Sequence, residues 1–440
     1  MTATDPETAV AWVRAAVTER LAAAVRERER SGQPPMTPAQ RRQLGESLTE
    51  SALDEHARAA LAAGRPVLDP ATEQRVAHAV RDALFGMGGL QALLDDPRVE
   101  NVNATGCDQV WVGYGDGARV AAAPIAASDD ELIALIRQLA ARSGFEERRF
   151  DRGSPILNLE LPDGSRLSAV MAVTPRPCLA VRRHRFRAIT LDELIRLGTV
   201  DAALAAFLRA VVAARRNVIV AGATGIGKTT LLRGLASVIG PEEHIVTVED
   251  ARELNLDHDR VAHPRVTTLQ AREANIEGEG AISQAQLVWA ALRLNPDRVI
   301  VGEVRGPEVI TMCNAMSMGT DGSMATIHAS TSRGVFGKLA AYAVQGPERL
   351  GLEAVNLMVA SAVHFIVHLT RSSDGRRVVS SVREVVDADG AQVVSNEVFR
   401  PGSDGRAVPA VPLRTETVEQ LAAVGFDPGV LSRPGSRWSA

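Results

Sequence analysis

Gly222-Ala-Thr-Gly-Ile-Gly227-Lys228-Thr229 is the stretch that decides the fold of this 440-residue chain. It matches the pattern GxxxxGK[ST], in which glycines let successive backbone N–H groups turn towards the oxygens of a phosphate. The apolar run NVIVA predicts a buried strand before it, and TTLLRGLASVIG predicts a helix after it. The N-terminal end of such a helix favours an anion. Strand, glycine loop and helix in this order predict a phosphate-binding loop.

This loop supplies most of the residues expected to hold a nucleotide. We expect Lys228 to reach the β- and γ-phosphates and the hydroxyl group of Thr229 to bind Mg²⁺. The other expected contacts in the loop are Gly222, Thr224, Gly225, Gly227 and Thr230. No guanine-reading NKxD motif occurs in the sequence, so the predicted cofactors are ATP and Mg²⁺.

Short apolar strands alternate with helices from residue 190 onward: NVIVAG, HIVTVED, RVIVGE and SMATIHA. This alternation is typical of a parallel sheet, whose strands present their carboxyl ends at one edge. Glu303 ends the third strand, and we expect it on the magnesium side of the site, through a bridging water. The alternative is a structural ion pair, with Arg305 as the partner.

Further candidate groups follow the second and fourth of these strands. Glu249, Asp250 and Glu253 lie in TVEDARELNL, and hydrolysis needs one carboxylate that polarises the attacking water. Spacing alone does not rank the three acids. His328 ends the fourth strand, where a single histidine is by default a hydrogen-bonded structural residue.

Composition and charge exclude several classes of protein. Apolar content of 45% and charged content of 23% are typical of a soluble globular protein. A net charge of −4 gives no global basic field, so direct nucleic-acid binding is not expected. The three cysteines are far apart and suit a reducing compartment. We find no signal peptide and no bilayer-spanning segment, which favours a cytoplasmic location.

The pattern of elements suggests four regions along the chain. They are a helical module (1–84), an α+β domain (85–187), an α/β P-loop domain (188–370), and a β-rich C-terminal extension and tail (371–440). Within the last region, RPGSDGRAVPAV is expected to be a linker.

Local signals mark three places inside these regions. Thr37 and Gln40 form a capping box at the start of a predicted helix. The run through LPDGSRL predicts a hairpin that turns at Asp163-Gly164. A basic stretch at residues 182–187 joins the second and third regions, and solvated linker charge is favoured there over nucleic-acid contact.

Four motifs, in order, resemble the secretion-ATPase superfamily that powers type II secretion, type IV pili and type IV secretion. The resemblance is strongest to its CpaF/TadA branch, the ATPases of tight-adherence (Flp) pili, and covers residues 85–399. GATGIGKTT resembles the P-loop, TVEDARELNL the Asp box, VIVGEVRG the Walker B motif, and MGTDGSMATIHAST the His box. The resemblance implies an α/β fold with a RecA-like P-loop ATPase core. A PAS-like α+β domain and the N-terminal helical module would precede that core.

The resemblance also implies roles for single residues. Glu253 matches the Asp-box position expected to activate water, and Glu303 matches the Walker B glutamate. His328 matches the His-box residue that senses the state of the nucleotide, which reverses the structural interpretation given above.

Arginines of the α+β domain are expected to reach the nucleotide, which in this family lies between that domain and the core. Arg166 in LPDGSR matches one such position, and Arg182 or Arg183 matches the basic strand end. The branch usually has an arginine where this chain has Glu160, so a two-arginine clamp from this hairpin is in doubt. The zinc-binding tetracysteine of the type II branch is missing, which argues against that branch.

The function implied is that of a Mg-dependent ATPase motor for pilus assembly or secretion. It would work as a homo-oligomer, a hexameric ring, and act on platform proteins while peripherally associated with the inner face of the cell membrane. One alternative is a type IV secretion motor for DNA or protein transfer. A second alternative is an assembly scaffold that binds ATP but hydrolyses it weakly.

Overall fold

The computed structural model describes residues 6–34, 36–115, 117–142, 149–161, 163–183, 189–272 and 279–432. The chain divides into two compact units, Met1–Arg185 and Phe186–Ala440. Each unit has hydrophobic clusters of its own. The two units are therefore described separately.

Three long helices open the first unit: α1 (Pro6–Arg30), α2 (Pro38–Ala62) and α3 (Pro70–Phe85). They pack around a small core of alanine, valine and leucine side chains. The predicted capping box is confirmed, because the Thr37 side chain accepts from the Gln40 N–H and the Gln40 side chain accepts from the Thr37 N–H. These reciprocal bonds satisfy two donors at the start of α2.

An antiparallel sheet and short or medium-length helices form the rest of the first unit. The helices and strands of this part are α4 (Gly89–Leu94), β1 (Val99–Thr105), β2 (Gln109–Tyr114), β3 (Arg119–Ala122), α5 (Asp129–Arg142), β4 (Ile156–Glu160), β5 (Arg166–Val170) and β6 (Cys178–Arg182). The strand order is β3-β2-β1-β6-β5-β4. The predicted hairpin is confirmed: β4 pairs with β5, and the Asp163 carboxylate accepts from the Ser165 backbone N–H and hydroxyl group at the turn.

A larger sheet forms the centre of the second unit. Its strands are β7 (Val218–Gly222), β8 (Ile245–Glu249), β9 (Val266–Gln270), β10 (Arg298–Val304), β11 (Met324–His328), β12 (Phe365–Arg371), β13 (Arg377–Ala388), β14 (Val393–Pro401) and β15 (Ala407–Pro409). Within the described residues the order is β15-β14-β13-β12-β7-β11-β10-β8-β9. The pairs from β12 to β9 are parallel, and the pairs from β12 to β15 are antiparallel. The parallel sheet predicted from the alternation of helices and strands is therefore confirmed.

Helices cover both faces of this sheet. They are α6 (Leu191–Arg196), α7 (Ala202–Ala213), α8 (Lys228–Ala236), α9 (Gln284–Leu292), α10 (Glu308–Ser317), α11 (Gly334–Val344), α12 (Leu352–Ala362) and α13 (Thr415–Ala423). One core contains residues of α6, α7, α8 and α13, and the other contains residues of α9 to α12. Alternate residues of β7 enter the two cores, so this strand is an apolar run buried on both sides.

A buried asparagine fixes the start of β7. The Asn217 amide donates to the carbonyl oxygens of Met316 and Ala362 at 2.8 and 2.7 Å. Its oxygen accepts from the backbone N–H groups of Gly322 and Ser323 at 2.9 and 3.0 Å. Because every hydrogen-bonding position of the amide is filled, the side chain ties the β10–β11 connection and the end of α12 to the strand that leads into the P-loop.

The C-terminal region continues the central sheet. Strand β12 pairs with β7 on one side and with β13 on the other, so the sheet continues past residue 370. The linker predicted at RPGSDGRAVPAV is wrong, because β14 ends inside this stretch and β15 lies within it, paired with β14. Phe207 of α7 packs against Phe365, Phe399 and Phe426, which places this region in the core.

Among the described residues, no helix is both long enough and apolar enough to cross a bilayer.

Candidate nucleotide-binding site

The candidate site lies where four parallel strands of the second unit end. β7 runs into the P-loop, and the strands that follow it in the sheet, β11, β10 and β8, end at or near His328, Glu303 and Glu249. Parallel strands present their carboxyl ends at one edge of a sheet, which is where ligands bind in open α/β folds. The sheet therefore gathers residues that are up to about 100 positions apart in the sequence.

The P-loop has the backbone that its sequence requires. Gly227 has a φ of 103°, a conformation that residues with side chains rarely adopt, and it directly precedes α8. Lys228 is the first residue of α8, so the N-terminal end of this helix faces the loop. Backbone N–H groups and the helix dipole together favour a phosphate there.

Lys228 contacts the P-loop and the fourth strand. Its Nζ donates to the Ala223 carbonyl oxygen at 3.1 Å and lies 3.1 Å from His328 Nδ1. Burial and the Lys228 ammonium group lower the pKa of His328, so its ring is neutral at pH 7. Nε2 of the same ring contacts Glu303 Oε1. A neutral ring with its proton on Nε2 suits both contacts, since Nδ1 then accepts from Lys228.

Glu303 is both at the site and in an ion pair. Its Oε2 accepts from Arg305 Nε at 2.9 Å and from Arg305 Nη2 at 2.5 Å. Arg305 also lies 3.4 Å from Asp250. The ion pair with Arg305 is therefore confirmed, and the other oxygen of the same carboxylate faces His328. The place of Glu303 on the magnesium side stays a prediction.

The three acids after β8 have different environments. Glu249 is buried, with 2% of its surface exposed, and burial raises its pKa to about 7. Asp250 is exposed and pairs with Arg305. Glu253 accepts a hydrogen bond from the hydroxyl group of Thr229 at 3.1 Å. Of the three, Glu253 is therefore the acid that contacts the P-loop helix.

Gly302 has a steric reason to be a glycine. A Cβ atom at this position would lie 2.8 Å from Glu249 Cγ and 3.1 Å from Glu249 Oε1. Strands β8 and β10 are parallel neighbours, with Val248 opposite Val301, so the residues that follow them are also side by side. The glycine before Glu303 therefore leaves room for the buried acid of the adjacent strand.

The arginines predicted to reach the nucleotide lie in the first unit. Arg166 begins β5, opposite Glu160 of β4 and Arg182 of β6. Arg183 donates to the Asp96 carbonyl oxygen at 2.9 Å. The rest of the basic stretch, residues 184–187, lies outside the described residues.

Oxygen groups suited to magnesium lie at the edge of the P-loop helix. Across the described ranges, no cluster of three or more His, Cys, Asp and Glu residues could hold a metal ion. A nucleotide-bound Mg²⁺ needs less, because phosphate oxygens and waters supply part of its shell. The Thr229 hydroxyl group, in the first turn of α8, and the Glu303 carboxylate, near the end of β10, are hard oxygen donors of the kind that Mg²⁺ prefers. The residues present fit this ion.

Sequence reasoning missed Arg377. Its Cδ lies 3.7 Å from the position that a Cβ atom would take on Gly227. The pairing of β12 with β7, with Leu369 opposite Gly222, brings the hairpin between β12 and β13 beside the P-loop. No local motif marks this arginine, and only the register of the strands reveals the contact.

Comparison with known proteins assigns the family. The model of the family described as "Type II/IV secretion system protein" matches residues 87–408. One relative, from Mycobacterium tuberculosis (strain ATCC 25618 / H37Rv), bears the name of a conjugal transfer protein, Rv3659c. It is 36% identical over 316 residues, which cover 70% of this chain and 86% of the relative.

Two further relatives and one solved structure are similar to the chain. Conjugal transfer protein TrbB of Rhizobium radiobacter is 28% identical over 68% of this chain and 86% of its own length. Protein VirB11 of Agrobacterium fabrum (strain C58 / ATCC 33970) is 29% identical over 64% of this chain and 87% of its own length. The crystal structure of the VirB11 ATPase of Brucella suis is 24% identical, covers 71% of this chain and 99% of that chain, and has a TM-score of 0.37. On the family model and the 36% identical relative, the chain belongs to the type II/IV secretion ATPase superfamily.

Proposed function

We propose that this chain is the Mg-dependent ATPase motor of a pilus-assembly or secretion system. One observation carries the proposal: the carboxyl edge of the central sheet gathers Lys228, Thr229, Glu253, Glu303 and His328 around the P-loop. A cation, a hydroxyl group that can hold Mg²⁺ and carboxylates that can orient water are groups that phosphoryl transfer uses.

Nucleotide binding is proposed for the P-loop. Its backbone N–H groups and Lys228 hold the phosphates, and Lys228 exchanges its contacts with Ala223 and His328 for phosphate oxygens. Thr229 would hold Mg²⁺, with Glu303 reaching it through a water. When bound, Mg²⁺ neutralises charge on the phosphate oxygens.

Hydrolysis is proposed to depend on Glu253. Its carboxylate lies beside Thr229 and is the acid that can orient and polarise the attacking water. His328 contacts both Lys228 and Glu303, so a change in the partner of Lys228 also changes the surroundings of His328. This link supports a role for His328 in sensing the nucleotide. The contribution of Arg166, Arg182 and Arg183 to the phosphates stays a prediction from the resemblance.

The assembly and the transport system that the chain would drive are also proposed. The chain would work as a hexameric ring on membrane platform proteins, at the cytoplasmic face of the membrane. The resemblance of its motifs favours a Flp pilus. The name of one relative, conjugal transfer protein TrbB, favours the second candidate, a type IV secretion motor for DNA or protein transfer.

Activity of the purified chain tests the proposal. We expect slow ATP hydrolysis that requires Mg²⁺, and Lys228→Ala should abolish it because the main cation on the phosphates is lost. Turnover in Lys228→Ala equal to that of the unmodified chain would refute the assignment.

The scaffold alternative needs binding and turnover measured separately. As a motor, the chain should bind ATP equally well with Glu253→Gln and lose turnover, because the amide cannot accept a proton from water. If the unmodified chain binds ATP but turns over no faster than Glu253→Gln, the scaffold is the better description.

A further inference from the structure

Glu249 makes two contacts that its position in the sequence does not reveal. Its Oε1 accepts hydrogen bonds from the backbone N–H groups of Glu253 at 2.9 Å and Leu254 at 3.0 Å. Its Oε2 is buried and has no hydrogen-bond partner in the described part of the chain. The Glu249 side chain is 2% exposed and is hydrogen-bonded to the backbone that follows it in the chain. It therefore holds residues 253 and 254 in place, and we call it the clamp on this segment.

The clamped segment carries Glu253. Residues 250–255 connect β8 to the short helix Leu256–His258 and belong to neither element. Loop residues keep their side chains in place only when surrounding contacts fix the backbone. Since Glu253 meets the hydroxyl group of Thr229 at 3.1 Å, its backbone position decides whether its carboxylate faces the P-loop.

Gly302 sets the position of the clamp from the other side. A Cβ atom there would overlap Glu249 Cγ at 2.8 Å, far closer than ordinary van der Waals contact. Any side chain at residue 302 would therefore push the Glu249 side chain away from the two N–H groups that it accepts from. Glu249 and Gly302 act as one unit although they lie on different strands.

We propose that Glu249 is a positioning residue for hydrolysis, which together with Gly302 holds the backbone of Glu253 so that its carboxylate faces Thr229. This inference rests on the proposed role of Glu253 and adds the residues that make that role possible. Glu249 does not touch the nucleotide in this arrangement. Its removal therefore affects turnover rather than binding.

Steady-state kinetics and nucleotide binding test the inference. Glu249→Ala should lower kcat roughly 10- to 100-fold, because a misplacement of about 1 Å has effects of that order. The dissociation constant for ADP should stay within about twofold, since the contact residues of the P-loop are unchanged. Glu249→Gln should recover most of kcat, because its side-chain oxygen can still accept both backbone hydrogen bonds.

Glu384 provides a matched control. It is also a buried glutamate, 2% exposed, and it accepts from the Arg414 backbone N–H and from the Thr417 hydroxyl group. Glu384→Ala should reduce the free energy of unfolding and leave kcat unchanged in the folded protein. A fall in kcat as large as that of Glu249→Ala would mean that loss of any buried acid causes the effect, which overturns the inference.

The Gly302→Ala variant tests the steric coupling. Alone it should lower kcat, and in the Glu249→Ala background it should have no further effect, because the clashing Cγ is absent. Hydrogen–deuterium exchange gives a readout that is independent of turnover: the amides of Glu253 and Leu254 should exchange faster in both single variants.

Three further outcomes contradict the inference. They are unchanged kcat in Glu249→Ala, losses that add up in the double variant, and unchanged exchange at residues 253 and 254. Failure of the proposed function looks different, because the unmodified chain itself would then show no turnover.

Discussion

At the scale of single residues, specific hydrogen bonds hold some polar side chains that are buried or partly buried. His364 is an example, because its Nδ1 accepts a hydrogen bond from the Asn217 backbone N–H at 2.8 Å. Asn217 is the residue whose side chain fixes the start of β7. Burial, and after it the charge of Arg216, lower the pKa of His364 to about 4. A proton on Nδ1 would remove the acceptor, so folding requires the neutral ring.

The stability of the protein should therefore fall as the pH drops below 6.5. In the unfolded chain His364 takes up a proton near its ordinary pKa of 6.5, whereas the folded chain resists protonation until about pH 4. Between pH 7.5 and 5.5 this residue alone should remove about 1 kcal/mol from the free energy of unfolding. Urea unfolding at both pH values would measure it. The His364→Gln variant keeps an acceptor, so over the same pH change its free energy of unfolding should fall by about 1 kcal/mol less than that of the unmodified chain. An identical fall in the two proteins would contradict the assignment.

At the scale of elements, the β12–β13 hairpin is part of the surroundings of the P-loop. Leu369 lies opposite Gly222 in the β7–β12 pair, and Arg377, the first residue of β13, extends its side chain along Gly227. The adjacent Arg376 turns elsewhere: its Nη1 lies 3.3 Å from the Cβ position of Gly198, and its Nε is 3.6 Å from Asp374. Two neighbouring arginines therefore have different surroundings.

Removing Arg377 should loosen the P-loop. The aliphatic part of an arginine packs on backbone that it covers, so Arg377→Ala leaves Gly227 less supported. We expect the dissociation constant for ADP to rise roughly three- to tenfold, equivalent to about 1 kcal/mol. Arg376→Ala is the control, with less than a twofold change expected in the same titration. Equal changes in both variants would argue for a general effect of charge.

At the scale of the whole molecule, the C-terminal region is part of the core of the second unit. α13 is held by Glu384 at its N-terminal end, and Leu421 of this helix is fully buried in the same cluster as Phe207. Strands β13 to β15 extend the parallel sheet with antiparallel neighbours. This region and the P-loop domain therefore share one sheet and one core.

Truncating Leu421 should destabilise the second unit as a whole. Leu421→Ala removes a fully buried side chain, and such substitutions reduce the free energy of unfolding by roughly 2–5 kcal/mol. Val424, 42% exposed next to the same helix, is the matched control, and Val424→Ala should change stability by less than about 0.5 kcal/mol. Chemical denaturation followed by circular dichroism would compare them, and a small effect of Leu421→Ala would show that α13 is dispensable.

Several features of this protein could be predicted because they depend on neighbours in the sequence. The P-loop, the capping box at Thr37 and the turn at Asp163-Gly164 need only the residue types within a few positions. The alternation of apolar strands with helices likewise predicted the parallel sheet, because strand length and period are local properties. The linker predicted after β14 was wrong, since its Gly, Ser and Pro residues are equally suited to the turn between β14 and β15.

The sequence by itself determined the phosphate-binding loop, the class of fold, and the set of acids from which the site is built. Only the tertiary structure separated Glu249, Asp250 and Glu253 into a buried clamp, an exposed ion-pair partner and a neighbour of Thr229. It also explained Gly302, whose missing side chain leaves room for Glu249 on the next strand. The physical reason is that the contact between Glu249 and Gly302 depends on the pairing of β8 with β10, and the contact between Glu253 and Thr229 depends on the packing of a loop against α8. No local sequence pattern contains either arrangement.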